Sequence, residues 1–148
     1  GRIRNEEFFK EIYGNSELEV RKNCITINWF GKKIPFNKVN GGADSLKAVI
    51  KDLSHLPKDL WKYFKITSGS LCWRVIAGTK RLSMHSFGLA IDINTKYSDY
   101  WRNSFAAAYK NRIPFEIVEA FERHGFIWGG KWYHYDTMHF EYRPEFSS

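Results

Sequence analysis

The chain has 148 residues, 43% of them hydrophobic and 26% charged, and a net charge of +7 from 23 Lys and Arg against 16 Asp and Glu. That length fits one domain, which buries roughly 68–70% of its unfolded surface and can build a core without staples. The composition excludes an intrinsically disordered chain, and no apolar run approaches the ~20 residues that span a bilayer.

The positive field attracts polyanions. Nucleic acid and an anionic cell wall are both candidates, and general solubility accounts for the charge equally well. There is no run of five or more basic residues and no nucleic-acid motif, so charge alone does not choose. Aromatic residues reach 18% and gather toward the C-terminus, which suits either a flat-walled cleft or an aromatic core. The two cysteines, Cys24 and Cys72, are not a Cys-x-x-Cys pair, so a cysteine zinc knuckle is excluded. One disulfide and two unrelated thiols fit them equally. The sequence opens with Gly1-Arg2-Ile3, and no signal peptide is visible.

In chain order, residues 5–13 read as a short helix. Residues 24–36 read as a hairpin: Ile25, Ile27 and Trp29 alternate with Thr26 and Asn28, Gly31-Lys32 supplies a turn, and Ile34 to Phe36 returns. Residues 44–54 are expected to be a helix capped by Asp44 or Ser45, with Leu46, Val49, Ile50 and Leu53 on one face. Pro57 opens a second short helix to about Tyr63. Strands are expected over 72–76 and 88–94, the second with Leu89, Ile91 and Ile93 facing opposite to Ala90, Asp92 and Asn94. Residues 97–101 read as an aromatic loop and 104–110 as helical. Residues 114–124 carry a clear helical pattern, with Pro114 at its first position, Phe115, Val118 and Phe121 sharing a face, and Gly125 just after its end. A strand at 126–128, a Gly129-Gly130 turn and a strand at 139–142 follow. This order implies an α+β fold with an antiparallel sheet.

Two segments carry chemistry. In Ser83-Met84-His85-Ser86-Phe87-Gly88-Leu89-Ala90-Ile91-Asp92, a histidine precedes a strand that contains an aspartate. A carboxylate in an apolar strand needs a cationic partner, because burying it alone is expensive; an arginine, solvent or a metal can serve. Asp136-Thr137-Met138-His139-Phe140-Glu141 places a second carboxylate three residues before a second histidine. If the strands bearing Asp92 and His139 are neighbours, then His85, Asp92 and His139 converge. Two imidazoles and one carboxylate leave a tetrahedral zinc ion one open position, the catalytic pattern. Asp136 is placed to be the unligated carboxylate that moves the water proton, although a turn cap is the plainer role for it. Glu141 shares a strand face with His139 and either orients its imidazole or faces solvent. His55, His124 and His134 read as ordinary surface or core histidines, although His134 lies close enough to the site to touch substrate.

Ser-x-His, the six residues between His85 and Asp92, Gly-Phe-Ile-Trp-Gly-Gly-Lys-Trp (125–132) and Asp-x-x-His-Phe-Glu (136–141) together resemble the VanY-type D-alanyl-D-alanine carboxypeptidases. That zinc peptidase family includes the L-alanyl-D-glutamate endopeptidases of some phage lysins. The likeness covers roughly residues 70–145; the first 40 residues carry no usable match. It implies the α+β architecture shared with hedgehog signalling domains, a small antiparallel sheet carrying the zinc site with helices on its back. Residues 1–40 would be an N-terminal extension with its hairpin packed on the core, and 41–148 the zinc peptidase domain.

The resemblance further implies Zn2+ held by His85, Asp92 and His139, with Asp136 as general base. Arg74 would stabilise the oxyanion, with Arg81 as the alternative, since a fixed guanidinium is worth most beside charge developing in a dry site. Arg81, Ser83, Trp128, Tyr133 and His134 are candidate substrate contacts. For Ser83 a turn cap is the plainer reading, and for Trp128, Trp132 and Tyr133 a place in an aromatic core fits as well as a cleft wall. The implied partner is the peptidoglycan stem peptide, bound by a monomer outside the cytoplasm or by a phage-encoded lysin, with no nucleic acid and no membrane span. A carboxypeptidase is favoured slightly over an endopeptidase. A metal-bearing binding module without catalysis and a nucleic-acid binder are the rivals from other classes.

Overall fold

The computed structural model describes residues 2–71, 73, 82–93, 113–128 and 139–146. The chain begins with helix α1 (Arg2–Tyr13), three residues longer at its start than the apolar pattern indicates. Helix α2 (Glu17–Lys22) follows and has no counterpart among the sequence expectations. Its signal was the Ser16-x-x-Glu19 spacing of a capping box: the Ser16 hydroxyl accepts the Glu19 amide at 3.2 Å.

The hairpin forms as expected, with β1 (Cys24–Trp29) antiparallel to β2 (Lys32–Asn37) and Trp29 opposite Lys32. The turn, however, is Phe30-Gly31, one residue earlier than the Gly31-Lys32 expectation. Both residues have positive φ, 47° and 102°, as a two-residue hairpin turn requires. The Asn28 side chain holds the turn by accepting the Gly31 amide at 2.9 Å.

Helix α3 (Gly42–Ser54) starts two residues early, with Gly41 rather than Asp44 or Ser45 at its cap. Leu46, Val49 and Leu53 are fully buried. A 3-10 helix at Lys58–Tyr63 follows Pro57 as expected. Strand β3 (Thr67–Gly69) was not anticipated; the strand expected at 72–76 lies, apart from Trp73, outside the described residues. After β4 (Ala90–Ile93) come helix α4 (Phe115–Glu122), β5 (Phe126–Trp128) and β6 (His139–Tyr142). Pro114 caps α4 from outside rather than occupying its first turn. Phe115, expected on the buried face, is 67% exposed, because the buried stripe of α4 begins at Ile117 and Val118. The readings at 97–101, 104–110 and Gly129-Gly130 also fall outside the described residues.

Four strands form an antiparallel sheet in the order β3-β4-β6-β5. Strand alternation gives it two unlike faces. On one, Phe140 stacks on Phe121 of α4 with ring centroids 3.8 Å apart and 10° between planes. Phe126 meets the same helix residue edge-on at 5.5 Å. The other face carries Asp92, His139 and Glu141. The hairpin joins the core through Trp29 against Phe121 and Phe36 against Phe126, so the apolar side chains of residues 9–142 form one buried cluster. This is the α+β fold with an antiparallel sheet that the sequence implies. Among the described residues no helix is long and apolar enough to cross a membrane.

Candidate metal centre

Three local structures deliver three side chains to one point. His85 sits in a 3-10 turn, Met84–Phe87. Ser83 caps this turn, its hydroxyl accepting the His85 amide at 3.2 Å. Gly88 ends it at φ 69°, a left-handed conformation that glycine adopts without strain. A Cβ at that position would stand 3.0 Å from the Cys24 sulfur. From Gly88 the chain passes directly into β4, where Asp92 lies opposite His139 of β6 in the antiparallel register. Directly opposed residues hold their side chains close. The neighbouring-strand condition set by the sequence is therefore met.

His85 Nε2 is 3.1 Å from Asp92 Oδ1, and His139 Nδ1 is 3.0 Å from the same oxygen. One ligand atom from each residue falls within 4.8 Å of the others, and the two imidazoles meet edge-to-face with centroids 5.0 Å apart. Both histidines are buried and Asp92 is half-buried. Among the described residues these are the only three His, Cys, Asp or Glu side chains grouped so.

The far nitrogens decide what this arrangement can hold. His85 Nδ1 lies 2.6 Å from the Ser70 carbonyl, which only accepts, so Nδ1 carries the proton. In the neutral ring Nε2 then turns a lone pair on the Asp92 carboxylate. Two acceptors at 3.1 Å repel unless a cation, a second proton or a metal ion, lies with them. His139 repeats the pattern, with Nε2 2.9 Å from Glu141 Oε1 while Nδ1 faces Asp92. The residues thus fit a divalent cation: two imidazoles and one carboxylate are a zinc set, with too few oxygens for calcium or magnesium.

Electrostatics point the same way. Burial alone would raise the Asp92 carboxyl, but the hydrogen bonds and charges of His139 and His85 outweigh it and hold the group well below the usual carboxylate range. Burial would lower the His139 imidazole; its hydrogen bonds to Asp92 and Glu141, and their charges, raise it instead to about 10. The pocket favours positive charge at its centre.

Glu141 is buried, not solvent-facing as one sequence reading allowed. Its second oxygen lies 3.0 Å from Nε of Arg143, whose guanidinium also reaches Glu145 at 3.2 Å. Trp128, in β5, is 8% exposed and belongs to the apolar cluster. His55 bonds the Lys51 carbonyl and His124 pairs with Asp52, ordinary roles, as expected. Cys24 is a free thiol whose pKa burial raises to about 11, which makes it a poor nucleophile at neutral pH. Arg74, Arg81, Tyr133, His134, Asp136 and Cys72 lie outside the described residues. Ser70 escaped the sequence reading, because it acts through its backbone carbonyl and leaves no side-chain signature.

No curated protein and no solved structure matches the chain at a significant level. A family model does match, over residues 77–142, and its description is D-alanyl-D-alanine carboxypeptidase. The matched stretch holds His85, Asp92 and His139, and it ends within the strand that carries the last of them. Over residues 77–142, a little under half of the chain, the sequence is similar to the D-alanyl-D-alanine carboxypeptidase family, the likeness that its motif segments imply.

Proposed function

We propose that the protein is a zinc-dependent peptidoglycan peptidase that hydrolyses D-amino-acid-containing stem peptides, with His85, Asp92 and His139 as the metal ligands. One observation carries the reading: two imidazoles and a carboxylate from three separate segments present ligand atoms within 4.8 Å of one another. Zinc bound there would supply Lewis acidity and lower the pKa of water at its open position to about 7.

The chain's own groups do the rest. Asp136, three residues before His139, takes the proton of the attacking water and returns it to the leaving amine. Arg74, or Arg81 in its place, steadies the negative charge that builds on the scissile carbonyl oxygen. Arg81, Ser83, Tyr133 and His134 contact the peptide, while Trp128 lies on the Phe140 face of the sheet, away from Asp92 and His139. Residues 41–148 form the peptidase domain, and residues 1–40 an extension whose hairpin braces it. The enzyme acts outside the cytoplasm, where its substrate lies. Removal of a C-terminal D-alanine is the preferred reaction, favoured by the family description, with L-alanyl-D-glutamate cleavage the alternative.

Mass spectrometry of purified muropeptides after incubation tests this, with and without a chelator. Loss of a terminal D-alanine, abolished by the chelator and by Asp136→Ala, is the expected result. Cleavage between L-alanine and D-glutamate would select the endopeptidase. Full zinc occupancy without turnover of either bond would favour a binding module that has lost catalysis.

A further inference from the structure

Two of the three proposed ligands are braced by residues that precede the family match. Strand β3 carries a bulge: Thr67 faces Ile93 and Gly69 faces Asp92, so two steps of β3 span one step of β4. Bulges re-aim the chain beside functional sites. Here Gly69, at φ 128°, leads to Ser70, whose carbonyl accepts the His85 Nδ1 proton at 2.6 Å. The Ser70 hydroxyl donates to the Pro35 carbonyl of β2 at 2.5 Å. Thr67 donates its hydroxyl to the Asp92 carbonyl at 2.5 Å and accepts the Gly69 amide at 3.1 Å. Lys32, also in β2, donates its ammonium to the Thr67 carbonyl at 3.1 Å. Thr67 and Ser70 are both buried, so water does not compete for these bonds.

We infer that residues 67–70 are a positioning strap for the metal centre, with Ser70 holding the His85 imidazole and the hairpin β1-β2 anchoring Ser70. The inference rests on the metal-ligand reading above and deepens it. A ligating histidine is oriented by the group that takes its other ring proton, and losing that group costs metal affinity. Here the group is a backbone carbonyl, whose position is set one bond further out by the Ser70 hydroxyl. The hairpin thereby gains a role: it is the wall that holds the strap.

Ser70→Ala removes the anchor and leaves the carbonyl. Zinc affinity by competition with a chromophoric chelator, the visible spectrum of the cobalt-substituted protein, and thermal unfolding of the metal-free protein are measured together. Ser70→Ala is expected to weaken zinc binding roughly 10-fold, the lower end of what losing an outer partner costs, and to shift the cobalt bands. Ser70→Thr, which keeps the hydroxyl, restores both. Thr67→Val removes the bond to the Asp92 carbonyl in a similar shape and moves both readouts in the same direction. Val49→Ala, a buried change in α3, lowers the unfolding temperature without moving either. Wild-type zinc affinity and cobalt bands in folded Ser70→Ala or Thr67→Val, or changes no larger than those of Val49→Ala, overturn the strap. In that case wild-type zinc binding leaves the peptidase reading standing. Failure of the wild-type protein to bind zinc removes both.

Discussion

Replacing Glu141 by glutamine preserves its size and one acceptor oxygen but removes the charge between His139 and Arg143. The carboxylate uses both oxygens, one 2.9 Å from His139 Nε2 and the other 3.0 Å from Arg143 Nε. Its side chain is only 7% exposed, so water cannot take over the hydrogen bond to His139, and Arg143 faces the second oxygen as an ion pair rather than through a hydrogen bond at Nε. Outer partners of metal-ligating histidines are worth 10–100-fold in metal affinity, roughly 1.4–2.7 kcal/mol. Glu141→Gln still offers an amide oxygen to the His139 proton and is expected near the lower figure. Glu141→Ala offers nothing and is expected near the upper one. The alanine variant also strips Arg143 of a buried carboxylate. Breaking such a pair costs about 3–5 kcal/mol, and the remaining bond to Glu145 holds the loss near the lower value. Chelator competition measures the first effect, and denaturant unfolding of the metal-free protein the second. A folded Glu141→Ala protein that binds zinc within twofold of wild type would refute the reasoning, as would equal losses in the two variants.

The same buried groups set further outcomes. In the metal-free protein His139 is raised to about 10 from an unfolded value of about 6.5. Its contribution is therefore complete below about pH 6.5 and is lost as pH rises toward 10; the Asp92 carboxyl, held low, contributes above its unfolded pKa of about 3.9 and loses that contribution as pH falls. Urea unfolding across that range should show stability falling on the alkaline side, and His139→Gln should flatten the slope. Phe121→Ala empties the stack on Phe140 behind the site and is expected to cost about 3–5 kcal/mol, read as a fall in unfolding temperature on the order of 10 °C. Gly88→Ala forces a side chain into the left-handed region against the Cys24 sulfur. It should destabilise by at least ~1–2 kcal/mol, measured by denaturant unfolding.

Local pattern alone made much of this protein legible. Alternation in residues 24–36, the i, i+3, i+4 stripe of α3 and the Pro114 to Gly125 frame of α4 are short-range signals, and each element forms there with its ends or turn shifted by one or two residues. The candidate ligand set was also named from the sequence, through the likeness of its Ser-x-His, strand aspartate and Asp-x-x-His segments to a zinc peptidase family rather than through any one residue's pattern. Register was not legible. That Asp92 faces His139 is a fact of strand pairing between segments 47 residues apart, and no local propensity encodes it. Nor was β3, three residues long and bulged, since its identity comes from pairing with β4 rather than from its own sequence. Ser70 shows the limit most sharply. Its part in the site is played by a carbonyl that every residue possesses, so only the tertiary structure, by carrying that carbonyl to His85, could single it out.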